Sequence, residues 1–314
     1  MSARDQSAIA FIGLGVMGGG MARNIVRSGF PVAVYDQSAA AMERFADVAC
    51  RRAQSPLDAA RGARILITML PTTVNVRDAL FGERGAVSAL APGALVIDMS
   101  TGDAVETDRM ADELERVNLR FIDAPVGRTP REAAEGRALI MAGGLAADVE
   151  EARAVFEAMA DTVVHVGPRG SGIRLKLVNN YMSMVGMVLT GEALMFAAKL
   201  GLDRDIVVRV LSNTVAGRGQ LLTNFPRKVL AGDVSPDFPL RMGYKDIHLA
   251  MSLAASVGAP LGLGGYAQEM FALAKAWGRE DEDCTAMLLL LEDIANQDHA
   301  NTDLAASPAP RALA

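Results

Sequence analysis

Cysteine is nearly missing from this chain, and what there is makes no disulfide framework. Cys50 and Cys284 are far apart and outside any CxxC pattern, which fits a reduced cytoplasm. Histidine is scarce too. His165, His248 and His299 share no metal-ligand spacing with one another or with the cysteines, so no metal site and no zinc mechanism are expected. Clusters of Lys and Arg are lacking, and the net charge is −6; nucleic acid and anionic membranes are therefore not expected partners. The most apolar span, between Lys176 and Glu192, contains two asparagines and is shorter than the ~20 residues a bilayer needs. The polar opening MSARDQS leads straight into AIAFIG, where no secretory signal is expected.

What remains is the composition of a soluble globular protein, and 314 residues suit two domains. Up to about Gly167, short apolar runs alternate with helical patterns. The runs cover 8–12, 31–35, 63–69, 94–100, 119–125, 138–143 and 162–167, with helical segments at 17–28, 73–80, 103–117 and 146–159. That alternation predicts an α/β domain with a mostly parallel sheet covered on both faces. After Gly167 the strand signals stop, and helices broken at Gly201, Gly217–Gly219, Gly232–Pro239, Gly258–Gly265 and Gly278 follow. The expected divisions are residues 1–167, an interdomain helix over 168–200, an all-α domain over 201–296 and a disordered tail over 297–314.

FIGLGVMGGGMARNIVRSGFPVAVYDQS sets Gly13, Gly15 and Gly18 in a GxGxxG pattern after one strand and at the start of a helix. The next strand ends at Asp36, 18 positions beyond Gly18. Glycines there admit a pyrophosphate to the backbone at a helix N-terminus, and the acid reaches ribose hydroxyls. A carboxylate at 36 repels a 2′-phosphate, and Gln37-Ser38 offers no arginine to hold one, so NAD is expected over NADP. Leu70-Pro71 and Ser100-Thr101 follow other strands and should line the same crevice, although Pro71 and Thr101 read equally well as turn and cap residues.

The long helix carries a short, mostly uncharged polar stripe. Lys176, Asn180 and Ser183 share one face, with Asn179 at its edge. A nicotinamide reduction needs one group that exchanges a proton with the substrate oxygen, and others that orient the substrate. Lys176 fits the first role, with a pKa lowered by burial, and Asn179, Asn180 and Ser183 fit the second. A snorkelling lysine with asparagines on nearby backbone reads equally well. Arg128, just past a strand end in GRTPRE, suits an anionic substrate or is a surface arginine of a polar loop. Lys245-Asp246 is an ion pair or a reach towards cofactor.

GLGVMGGGMARNI, VYD, MLP, DMST, DAPV, KLVNN and KDIHLA, in this order and spacing, resemble the β-hydroxyacid dehydrogenases, the 3-hydroxyisobutyrate dehydrogenase family, over about residues 8–295. The resemblance implies a Rossmann domain joined through a long helix to an all-α domain, with the active site in the cleft between them. It implies Lys176 as general acid/base, Asn179 and Asn180 on the substrate, and Val16, Met17, Asp36, Leu70, Thr101 and Lys245 around the cofactor. It also implies a homodimer or homotetramer. Most family members read DAPVSGG where this chain has Gly127-Arg128-Thr129. That variant, with GIRLKLVNNYMS and TVAGRGQLLTNFPRKVLAGDVSPDF, is similar to a bacterial subfamily reducing 3-sulfolactaldehyde with NADH. A small anionic aldehyde or hydroxy acid is thus the expected partner, with Arg128, Asn179 and Ser183 on its sulfonate and Thr129 and Asp246 beside them. The alternative is a 3-hydroxyisobutyrate or succinic semialdehyde type of substrate. A catalytically silent cofactor-binding protein is a further reading, which the presence of Lys176 disfavours.

Overall fold

The computed structural model describes residues 9–304. The first half alternates β1 (Ile9–Ile12), α1 (Val16–Arg27), β2 (Val32–Tyr35), α2 (Ala39–Glu43), β3 (Arg51–Arg52), α3 (Pro56–Ala60), β4 (Ile65–Thr68) and α4 (Thr73–Phe81). It continues through β5 (Leu95–Asp98), α5 (Ala104–Arg116), β6 (Arg120–Asp123), β7 (Val126–Gly127), α6 (Pro130–Ala134) and β8 (Ala138–Gly143). Then come α7 (Ala146–Glu151), α8 (Arg153–Met159), β9 (Ala160–Gly167) and the long α9 (Ser171–Lys199).

The strands form one sheet in the order β3-β2-β1-β4-β5-β6-β8-β7, with β9 on the other edge of β8. From β3 to β6 every pairing is parallel. β8 reverses direction: it is antiparallel to β6 at Asp123↔Gly143 and to β7 at Val126↔Ile140 and Gly127↔Leu139. β7 therefore prolongs the line of β6 beyond the carboxyl ends of the parallel strands. Alternation along each strand supplies two cores. Ile9, Phe11, Val34, Ile67, Ile97 and Ile122 pack on one face, and Ala10, Ile12, Leu66, Val96 and Phe121 on the other. Each large apolar side chain so buried contributes roughly 1.5–3 kcal/mol relative to exposure.

Side chains start the helices where the sequence placed them. Thr72 accepts from Asn75 N at the head of α4, and Asp103 from Val105 N and Glu106 N at the head of α5. The segment predicted over 146–159 is instead two helices meeting at Ala152. GRTPRE, expected as a loop, holds α6, whose start is a capping box between Thr129 and Glu132.

The chain divides into two compact units inside α9, the first running to Met182 and the second beginning at Ser183. Beyond α9 the second unit contains α10 (Arg204–Leu211), α11 (Val215–Arg218), α12 (Asn224–Arg227), α13 (Leu240–Ser256), α14 (Gly262–Ala276) and α15 (Met287–Leu304). Its small core gathers Leu240, Ala274, Ala286 and Leu290. Glu192 on α9 accepts the N–H of Leu263 at the head of α14. The tail expected to be disordered from residue 297 begins inside α15, which runs to Leu304; residues 305–314 lie outside the described residues. By length and composition α9 is also long and apolar enough to cross a membrane, unlike the shorter apolar span read from sequence. Its first turn is nonetheless fixed to the sheet, as described below.

Candidate active site

The turn between β1 and α1 is built for close approach. Gly13 has φ +103°, and a Cβ there would lie 2.2 Å from the carbonyl oxygen of Met69. At Gly18 a Cβ would meet the carbonyl oxygen of Gly13 at 2.1 Å. Gly15 differs: a Cβ would meet nothing within 4 Å. It faces a cavity of about 500 Å³ on the first unit, whose wall includes Gly13, Gly15, Val16, Met17, Gly18, Asp36, Leu70 and Pro71. Gly15 is the residue before α1 and supplies no side-chain cap, so the first N–H groups of the helix have no local side-chain acceptor. Val16 beside them is 81 % exposed. An uncapped helix start, a glycine with free space above it and a cavity wall are what a dinucleotide pyrophosphate requires.

Asp36 directly follows β2 and is held from both sides, its Oδ2 accepting Leu14 N at 2.7 Å and its Oδ1 accepting Ser38 N at 2.8 Å. Each carboxylate oxygen retains capacity for a ribose hydroxyl. Thr101 follows β5 and is not on this cavity wall, but its neighbour Ser100 bonds Leu70 N at 2.9 Å. Asn75, Ser55 and Arg84 also line the cavity. Their distance in sequence from the glycine turn leaves no local signal for them.

Past β7, Arg128 takes φ +70°, a left-handed conformation rare for a side chain other than glycine. Its Nη1 donates to Arg137 O and Asp161 Oδ1, both at 2.6 Å, and its Nη2 to Thr162 Oγ1 at 3.1 Å. The guanidinium is thus turned towards the start of β9, and among the described residues two of its five N–H groups have no partner. Thr129 is engaged in the α6 capping box, its hydroxyl donating to Glu132 Oε2 at 2.8 Å.

Lys176 lies on α9, half-buried, and among the described residues it has no carboxylate within ion-pair distance. Burial without a counter-charge pushes its ammonium below the ordinary lysine pKa of 10.5. Asn179 donates to Asn180 Oδ1 at 3.2 Å, so the two amides form a pair along the helix. All three belong to the first unit, and Ser183 opens the second. Lys245 and Asp246, on α13 of the second unit, form an exposed ion pair at 3.1 Å.

Beneath the start of α9 are two buried acids, the first residues of DMST and DAPV, to which the sequence assigned no role. Asp98 and Asp123 are register partners on β5 and β6. Asp98 accepts from Thr68 Oγ1 at 2.8 Å and Ser100 N at 3.0 Å, and burial pushes its carboxyl upward. Burial pushes Asp123 up to about 6 against the lowering effect of the backbone N–H groups of Ile173, Gly170 and Asp123 itself.

Residues 8–167 match the NAD binding domain of 6-phosphogluconate dehydrogenase, and residues 170–291 the NAD-binding domain of NADP-dependent 3-hydroxyisobutyrate dehydrogenase. The chain is 41 % identical to 3-sulfolactaldehyde reductase of Escherichia coli (strain K12), covering 90 % of this chain and 95 % of that one. It is 31 % identical to human mitochondrial 3-hydroxyisobutyrate dehydrogenase over 93 % and 89 % of the two chains. The chain belongs to the 3-hydroxyisobutyrate dehydrogenase family. A solved 3-hydroxyisobutyrate dehydrogenase of Mycobacterium tuberculosis, with L-serine, superposes with a TM-score of 0.62 at 31 % identity, covering 91 % of this chain and 99 % of that one. This is an NAD-dependent oxidoreductase acting on CH–OH groups, and the glycine turn and Asp36 are the parts of its first unit that fit the dinucleotide.

Proposed function

We propose that this enzyme reduces a small anionic aldehyde with NADH, 3-sulfolactaldehyde before any carboxylate analogue, giving the corresponding alcohol. Lys176 carries the reading: it is half-buried, unpaired among the described residues and depressed in pKa. A lysine in that state holds a proton it can readily release. NADH, when bound, supplies the reducing equivalent to the carbonyl carbon. The chain's own residues do the rest. Gly13, Gly15 and Gly18 admit the pyrophosphate to the backbone at α1. Asp36 takes the adenosine ribose and, by repelling a 2′-phosphate, favours NAD over NADP. Asn179 and Asn180 orient the substrate, and Lys176 Nζ delivers a proton to its oxygen, or removes one in the reverse direction.

For the anion, Arg128 offers its two remaining N–H groups, with Ser183 as a further candidate contact; Thr129 and Asp246 are candidates at the rest of the substrate, and Lys245 and Thr101 at the cofactor. A sulfonate has three acceptor oxygens, to which the free Arg128 N–H groups and the Ser183 hydroxyl can donate. Identity to the sulfolactaldehyde enzyme, higher than to the 3-hydroxyisobutyrate enzyme, supports the choice.

The test is kcat for reduction across pH in the wild type and in Lys176→Ala. A proton donor must be protonated, so reduction should fall as pH rises through a pKa below 10.5, and oxidation should rise through it. Removing the lysine should cost ~10²–10⁴-fold in kcat and erase that limb. Near-normal turnover in Lys176→Ala, with the limb intact, would reject Lys176 as the donor.

A further inference from the structure

Asp123 ends β6 with 1 % of its surface exposed, and the chemistry above gives it no task. Its Oδ1 accepts the N–H of Gly170 at 2.7 Å, and its Oδ2 the N–H of Ile173 at 2.8 Å. The first N–H groups of a helix have no intrahelical acceptors and are ordinarily satisfied by a Ser, Thr, Asp or Asn just ahead. α9 is preceded by Pro168, Arg169 and Gly170, which offer no such side chain. A carboxylate from a strand, 47 and 50 residues upstream, takes both N–H groups instead.

The seating is close. A Cβ at Gly172 would lie 2.4 Å from the carbonyl oxygens of both Asp123 and Met141, and one at Gly143 would lie 2.7 Å from Asp123 Oδ1 and from Gly172 N. The first turn of α9 therefore rests directly on the ends of β6 and β8, with no side chain between. Two exposed pairs, Arg174–Asp108 and Arg169–Asp112, tie the same turn to α5. Exposed pairs contribute little and do not replace a buried double acceptor. Lys176 follows Ile173 by three residues, one turn along the same side of the helix.

We propose that Asp123 is a positioning residue for the reduction: by holding the first turn of α9 on the strand ends, it fixes the height and rotation of the helix face that bears Lys176. This rests on Lys176 being the proton donor. Asp123→Asn keeps the shape but leaves one acceptor and one amino group, so one of the two backbone N–H groups faces another donor and the turn must shift. Small misplacements of reacting groups cost up to about 100-fold in rate.

The experiment compares kcat and the NADH dissociation constant in the wild type, Asp123→Asn, Lys176→Ala and the double variant. The single Asn variant should lose about 10–100-fold in kcat. Its NADH affinity should stay within about twofold, since the glycine turn is a separate element, and the double variant should be no slower than Lys176→Ala because the group being positioned is already gone. An unchanged kcat in Asp123→Asn, or the same loss repeated on the Lys176→Ala background, would overturn the proposal. Near-normal turnover in Lys176→Ala alone would instead reject the proton-donor reading on which it rests. If the Asn variant fails to fold, amide exchange in the wild type decides. Gly170 and Ile173 should be protected like core amides, and exchange at the rate of exposed amides would overturn the clamp.

Discussion

Two lysines in this chain, one buried and one half-buried, have opposite surroundings. Lys228 is 6 % exposed, and its ammonium donates to Asp233, Ser235 O and Ser235 Oγ, with Asp237 at 3.2 Å; the bond to Asp233 above all holds its pKa up. It fastens a loop. Lys176 has no such partner among the described residues, and its pKa falls. Both stand among apolar neighbours in the sequence, in RKVL and LKLV, so composition does not separate them. The polar stripe does, because Asn179 and Asn180 accompany only Lys176. Asp123 opens the DAPV motif, but its role was not legible: its partners lie 47 and 50 residues away, and nothing local marks a strand-end acid as a helix cap. The glycines were legible, and the structure gives each a separate task. Gly13 and Gly18 are needed by the fold, whereas Gly15 faces free space. Gly15→Val should therefore leave stability within about 0.5 kcal/mol. In the same variant the NADH dissociation constant should rise at least ~10-fold, or ~1.4 kcal/mol. Thermal melting and fluorescence titration check the two halves, and unchanged NADH binding would move the pyrophosphate elsewhere.

At the scale of elements, long periodic segments were readable and two-residue strands were not. β3 and β7 are too short to show an alternation, and α2 and α3 too short to show a helical period. α6 had a signal, Thr129-x-x-Glu132 with Pro130 at its first position, but its polar composition disguised it as loop. α9, expected over 168–200, runs over Ser171–Lys199, but its surroundings were not readable. Tyr181 is 70 % exposed and Met187 64 %, and Val178, Met184, Val188 and Leu189 are exposed with them. Exposed apolar side chains in such number need cover. We propose that a second copy of the chain supplies it. Sedimentation equilibrium should give a dimer or larger assembly, and Met187→Glu should weaken it by burying a charge. A wild-type monomer at micromolar concentration would contradict this.

For the whole molecule, the division into a parallel-sheet unit and a helical unit followed from where strand signals stop, because alternation and helical period are properties of local sequence. The boundary itself did not: it falls inside a continuous helix at Met182–Ser183, where no change of composition marks it. Substrate preference is decided by kcat/KM for NADH-dependent reduction of 3-sulfolactaldehyde, beside methylmalonate semialdehyde and succinic semialdehyde in one buffer. A preference for the sulfonate of at least ~100-fold, or ~2.7 kcal/mol, is expected of a site built for that anion. Equal or faster reduction of either carboxylate would contradict it.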